Sequence, residues 1–232
     1  MSTFKRYNNI VDNSIRINRS KEMRKKLILH RRIHLLSATV VVAALNLSVA
    51  NAQVSFGADV VSRNVWRGTD FGNAAVQPTI ETSLGPVTIG AWGSWSISPG
   101  PSDPSGNECD LYASTTVGPV GLTLTDYFFP AYAGEDSLFN LDKHILEVSA
   151  GMDLGTVSVL TAANVSGDDD NSIYLELTYG ALSLGLGDGV YSTDGEFAPV
   201  SIGVSASRDN FTASYIINPD QQTSFLVFGV SF

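Results

Sequence analysis

The chain has 232 residues, a formal net charge of −9 and one cysteine, Cys109. A single cysteine excludes an intrachain disulfide framework, and the acidity argues against nucleic acid and anionic headgroups as partners. Charge is divided unevenly. Ten of the fourteen Lys and Arg lie in positions 1–52, whereas 53–232 hold four against 21 Asp and Glu, a formal charge of −17.

The head of the chain has the pattern of an address. Arg24, Lys25, Lys26, Arg31 and Arg32 precede an apolar run from Leu35 to Val49, and Ala50-Asn51-Ala52 supplies a small-x-small cleavage pattern. These are the parts of a secretory signal peptide. A stop-transfer helix is the alternative, but the run is shorter than the ~18–20 apolar residues that span a bilayer, and Asn46 interrupts it. Met23 opens a signal of ordinary length and is an alternative start. No Cys follows the cleavage site, so a lipoprotein anchor is not expected. The expected division is therefore 1–52, extension and cleavable signal, and 53–232, one exported domain.

From residue 53 onward, period-2 alternation replaces any helical period. Strands are expected at 54–66, 75–84, 87–96, 109–117, 120–129, 143–153, 156–165, 172–179, 182–188, 197–207, 210–217 and 223–232. One face is oily, as in Leu146, Val148, Ala150 and Met152; the other is small and polar, as in Gln77, Thr79, Glu81 and Ser83. Short links such as Gly85-Pro86, Gly118-Pro119, Gly180-Ala181 and Arg208-Asp209 alternate with longer ones at 67–74, 97–108, 130–142, 166–171, 189–196 and 218–222. This asymmetry predicts an all-β, antiparallel up-and-down transmembrane barrel of about 12 strands, with short periplasmic turns and longer external loops. The bacterial outer membrane is its expected location. A soluble sandwich or a lipocalin-like barrel competes. The near absence of Lys, which soluble sheets use to guard edges, favours a closed barrel.

The last strand alternates Leu226, Phe228, Val230 and Phe232 and ends the chain on an aromatic. That ending resembles the signal recognised by the outer-membrane barrel-assembly machinery, so this machinery and outer-membrane lipid are the expected partners. Trp66, Trp95, Tyr127, Phe128, Phe129, Tyr132, Tyr179 and Phe211 fall near strand ends, where a membrane barrel places its interfacial girdles.

The segment Asp59-Val60-Val61-Ser62-Arg63-Asn64-Val65-Trp66-Arg67-Gly68, with Gln77-Pro78 and Gly90-Ala91-Trp92-Gly93-Ser94-Trp95, resembles the opening of the TorF-like porin family. The resemblance is specific over residues 56–97; beyond them it rests on length, strand pattern and the terminal Phe. Asn64, Val65 and the Pro-rich loop at 99–104 depart from the family's common form. The resemblance implies a passive outer-membrane channel and carries over no catalytic residues.

A charge facing lipid near the bilayer midplane costs about 2–4 kcal/mol for Arg. Arg63 and Arg67 are therefore expected to face the lumen with Asp59, as are Glu81, Lys143, Glu147 and Glu176 on their own strands. These charges are expected to form either a charge-selective constriction or internal salt bridges that plug or stiffen the barrel. Enzyme chemistry has little support. His144 is the one His after the cleavage site, and no Ser/His/Asp spacing accompanies it. No metal site is expected: Gly167-Asp168-Asp169-Asp170-Asn171 lacks the spacing and closing Glu of a calcium loop. No cofactor is expected, since Gly185, Gly187 and Gly189 precede no helix that would make them a phosphate loop. The expected function is a weakly cation-selective diffusion channel for ions or small polar solutes. The alternatives are a non-conducting structural or surface-interaction barrel and, behind it, a barrel enzyme.

The address pattern makes a direct prediction: the exported protein begins at Gln53. N-terminal sequencing checks it, and a mature form retaining Arg31 and Arg32 contradicts it.

Overall fold

The computed structural model describes residues 54–97, 107–130 and 138–232. The expected signal segment, the Pro-rich loop at 99–104 and Tyr132 lie outside the described residues.

Twelve antiparallel strands close into one barrel. They are β1 (Val54–Val61), β4 (Ala75–Leu84), β5 (Val87–Ser96), β6 (Glu108–Val117), β7 (Val120–Phe128), β8 (His144–Asp153), β9 (Val157–Ser166), β10 (Ile173–Tyr179), β11 (Leu182–Gly187), β12 (Ala198–Arg208), β13 (Phe211–Asn218) and β14 (Thr223–Ser231). Two further strands, β2 (Asn64–Trp66) and β3 (Thr69–Gly72), pair only with each other. Each barrel strand pairs with its neighbours along the chain, and β14 returns to β1. Only closure of this kind leaves no unpaired edge.

The short connections at one end follow from turn chemistry. Gly85, Gly118 and Gly180 take positive φ in two-residue turns, a conformation that costs glycine little. At 209–210 the turn is Asp209-Asn210 rather than Arg208-Asp209, because Arg208 still pairs with Phe211; Asp209 takes the positive φ. The long connections gather at the opposite end.

The barrel is apolar outside. Phe56 is 87% exposed, and Ile80, Leu111, Val148, Leu177, Ile202, Leu226 and Phe228 are also exposed. A continuous apolar surface of this size marks an interaction surface, not a face built for water. Buried residues lie inside, where Ala162, Tyr174, Tyr191 and Val200 form a small cluster against Trp66.

Two sequence expectations need correction. The first strand does not run from 54 to 66. It leaves the barrel after Val61, and Asn64–Gly72 form a separate hairpin. The aromatics do not all form girdles. Trp95, Tyr179 and Phe211 are exposed, whereas Trp66 packs on Tyr127 and Tyr191, Phe71 stacks on Phe129, and Phe128 is buried on His144. A second structure inside the barrel draws these rings inward.

The barrel closes through β1 and β14, and the last residue contributes to the join. Phe232 donates its N–H to the Ala58 carbonyl at 2.9 Å and accepts from the Ala58 N–H at 3.4 Å. Deleting Phe232 removes both bonds at the seam. The expected outcome is a reduced heat-modifiable, membrane-inserted fraction in cells, read by electrophoresis with and without boiling. Wild-type insertion of the truncated chain overturns this expectation.

Candidate functional site: a hairpin across the bore

The hairpin β2–β3 begins beside β1, and its tip reaches the far wall. A two-residue turn joins its strands, with Arg67 at φ 49° and Gly68 at φ 82°. Both values are positive, the pattern of a type I′ turn. Gly68 is required for a second reason: a Cβ there would lie 2.0 Å from the Val200 carbonyl oxygen of β12. The Gly68 carbonyl in turn accepts from Asn218 Nδ2 of β13 at 3.2 Å.

Arg67 anchors the tip. Its Nη1 donates to Glu147 Oε2 at 2.5 Å and its Nη2 to Glu147 Oε1 at 3.0 Å, a two-pronged bond to β8. Nη1 also donates to the Tyr191 hydroxyl at 2.6 Å. The guanidinium carbon lies 4.2 Å from the Trp66 ring centre and 4.4 Å from that of Tyr174. Aromatic faces attract a cation placed over them. The two side chains are 7% and 3% exposed, so this is a buried ion pair. Burial alone would lower the Arg67 pKa, but the Glu147 hydrogen bond and charge hold it above the ordinary value. Burial pushes the Tyr191 hydroxyl up to about 12, so it remains protonated at neutral pH.

In the order of strands around the barrel, β9 lies opposite β1, with β8 and β10 on either side of it. The Arg67 side chain therefore reaches the wall opposite β1, while the Gly68 backbone rests against β12 and β13. At its base, Ser62 exchanges two bonds with Phe228 of β14: its N–H donates to the Phe228 carbonyl, and its hydroxyl accepts from the Phe228 N–H. Within the hairpin Arg63 pairs with Asp70, and Asn64 Oδ1 accepts from Gln77 Nε2 of β4 at 3.2 Å. Trp66 fills the middle, 5.4 Å from Tyr127 and 5.9 Å from Tyr191 between ring centres.

The structure distributes the expected lumen residues unevenly. It joins Arg67 to Glu147. Glu176 is one side chain removed, accepting at 2.8 Å from the hydroxyl of Tyr174, the ring beneath Arg67. Glu81 accepts from the Tyr112 hydroxyl at 2.9 Å and from Ser55 at 3.4 Å. Asp59 stays on β1 in register with Gln77. Arg63 and Arg67 leave the strand on which period-2 alternation placed them. Lys143 ends a single 3-10 turn, Leu141–Lys143, and is exposed there instead of lying in a strand. Its main chain is taken by the Asn140 cap, which closes the loop before β8 begins.

Other residues acquire roles that alternation did not single out. Tyr174 and Tyr191 pack over Gly185 and Gly187, where any Cβ would come within 2.2 Å of Tyr174 and 2.7 Å of Tyr191. The glycines that resembled no phosphate loop are thus seats for rings. Both His144 nitrogens are engaged, Nδ1 with Asp126 at 2.9 Å and Nε2 with the Leu138 carbonyl at 3.0 Å. Asp168 is tied to Asn164 of β9 and to Asp170 and Ser172 of its own loop. Burial alone would raise its pKa, but the bonds from Ser172 and Asn164 hold it below the ordinary carboxylate value. Between the hairpin and the β4–β7 wall lies a cavity of about 380 Å³, with Glu108, Asp110 and Tyr112 among its lining residues.

These features define a closed twelve-stranded barrel with an apolar exterior, a polar interior and an inward hairpin bolted across the bore. The chain belongs to a family of bacterial proteins of unknown function, Gcw_chp, whose model matches residues 48–216. No curated protein matches it.

Removing one partner of a buried ion pair costs about 3–5 kcal/mol, because the other charge is left uncompensated. Arg67→Ala is therefore expected to destabilise the hairpin on that scale. Arg67→Lys recovers only part, since an ammonium cannot make the two-pronged bond. The double variant Arg67→Met, Glu147→Leu should recover most of the loss. Urea unfolding of the refolded barrel, followed by Trp fluorescence, measures all three. A double variant no more stable than Arg67→Ala would show that the pair is not coupled as described.

Proposed function

We propose that the protein is a porin-like channel of the bacterial outer membrane, passing ions or small polar solutes by passive diffusion through a bore narrowed by its own hairpin. The observation that carries this reading is the inversion of the barrel: apolar side chains exposed outside, and carboxylates, tyrosines and an ion pair inside. Lipid accommodates such an exterior, and a closed barrel satisfies every backbone group within it. Barrel-assembly machinery recognising Leu226, Phe228, Val230 and Phe232 belongs to the same reading. About eight strands make a barrel filled by its own side chains, and about 16–18 leave an aqueous channel. Twelve lie between, so a hairpin can be admitted without filling the bore.

The resemblance to the TorF-like porin family supports the channel reading at residue level. The Ser-Arg-x-x-Trp-Arg-Gly segment that carries the resemblance is the one that crosses the bore. Its two arginines are each matched by an acid, Asp70 and Glu147. Asp59, Glu81 and Glu176 then leave the wall acidic. An acidic wall raises the local concentration of cations, most strongly at low salt. We infer a weak preference for cations. No enzymatic activity belongs to this reading.

One observation favours a second reading. The hairpin is held at β8, β12, β13 and β14 together, as suits a closed barrel that serves a structural or surface-binding role.

Planar-bilayer recording separates the two. The expected result is a small conductance in the wild type, with a reversal potential under a salt gradient that indicates cations. Arg63→Gln with Arg67→Gln should raise both conductance and cation preference, because it removes two positive charges and frees the tip. Anion preference, or an unchanged variant, overturns the selectivity argument. Silence in both the wild type and a variant lacking residues 63–72 moves the structural reading to first place.

A further inference from the structure

The cavity beside the hairpin has a composition that the channel reading does not require. Glu108 and Asp110 stand two residues apart on one face of β6, 8% and 5% exposed. Both line the cavity, together with the rings of Trp66, Trp92, Tyr112 and Tyr127. Among the described residues, buried Asp110 Oδ1 has no hydrogen-bond partner. Buried carboxylates are ordinarily paired or hydrogen-bonded, and an orphaned oxygen is costly. The neighbouring cation, Arg63, is already committed to Asp70 within the hairpin and to the Phe225 ring. The arrangement is thus two acids, one with an acceptor that no described residue satisfies, in a cavity lined by four aromatic residues.

A cation completes it, and the rings decide which kind. A strongly hydrated inorganic ion gains from oxygen ligands and little from four aromatic walls. A protonated amine gains from both, through N–H donation to the carboxylates and through its charge against the ring faces. Asn64 adds a further constraint. Its Nδ2 is buried with no acceptor among the described residues, and Asn64 also lines the cavity. An oxygen on the same small molecule would satisfy it. We propose that this cavity binds a small primary ammonium ion carrying a hydroxyl or carbonyl oxygen. Glu108 and Asp110 hold the charge, Trp66, Trp92, Tyr112 and Tyr127 enclose it, and Asn64 donates to the oxygen.

The site is a binding site in its own right and does not rest on the barrel conducting. It is therefore tested at equilibrium. The exported chain, refolded in detergent micelles at low salt and neutral pH, is titrated with 2-hydroxyethylammonium chloride. Two of the three tryptophans, Trp66 and Trp92, line the cavity, so saturable change in Trp emission reports occupancy. The expected result is saturation with the ammonium ion and no saturation with potassium chloride or ethylene glycol at the same concentrations. Asp110→Asn keeps the shape and removes the charge, and it should weaken binding by roughly tenfold or more. Asp169→Asn, in an exposed loop, should bind as the wild type does. If Asp110→Asn fails to give the heat-modifiable form, Trp92→Leu replaces it, with both acids intact and the cavity opened, and the same weakening is expected. An equal response to potassium overturns the proposal, as does wild-type affinity in the variant that folds.

Discussion

The pair between Arg67 and Glu147 is the constraint on which the interior depends. An arginine so fully enclosed loses its water, and only a two-pronged carboxylate with aromatic faces on either side offsets that loss. The surrounding residues follow from this requirement. Glu147 must be near the start of β8, at the end where the long connections gather, to meet the hairpin. Tyr127 and Tyr191 donate to its remaining lone pairs at 3.2 and 3.3 Å, so the carboxylate is satisfied on all sides. Tyr174 must lie flat under the guanidinium, which requires a glycine at 185. Removing Arg67 or Glu147 leaves the other's charge buried without its counter-ion.

The direction of the apolar side chains explains why the described residues have so small a buried core. A soluble domain buries its apolar side chains against one another. Here they face outward, and a handful of rings around the hairpin are the residues that pack as a core does. Stability of the isolated barrel must then come from the closed backbone ladder and from this polar interior. That division of labour suits a lipid exterior, because lipid covers the apolar surface and offers no partner to backbone groups.

Much of the fold was legible because period-2 alternation is a direct consequence of strand geometry. The bounds of β4 and β5 agree with expectation residue for residue, and the others shift by one at most ends. The hairpin was not legible for the same reason. Ser62 to Arg67 keep alternating, so periodicity alone continues the strand. What breaks it is pairing: β1 registers with β4 only through Val61↔Ala75, and the chain beyond turns inward. A local cue existed in Trp66-Arg67-Gly68-Thr69, where a two-residue turn ending in glycine is flanked by residues suited to strands. Arg in the first turn position weakened it, since Asn or Asp is the usual occupant. Arg67 accepts that backbone strain because its side chain is held by Glu147. Glu108 and Asp110 were not legible: the expected strand began at 109, and no pattern within β6 reveals that both line a cavity beside the hairpin.

The hairpin and the seam of the barrel also depend on each other. The ladder between β1 and β4 registers eight pairs, whereas that between β1 and β14 registers three. The seam is thus the thinnest join in the sheet. Ser62, the residue at which the chain leaves β1, bonds to Phe228 of β14. From there the hairpin runs to β8, β12 and β13. A strut anchored at the seam and at the far wall resists separation of β1 from β14 in a way the ladder alone does not. Closing the barrel brings Glu147 opposite the hairpin tip, and seating the tip holds the barrel closed. In this protein the element that narrows the bore is also a brace for the join.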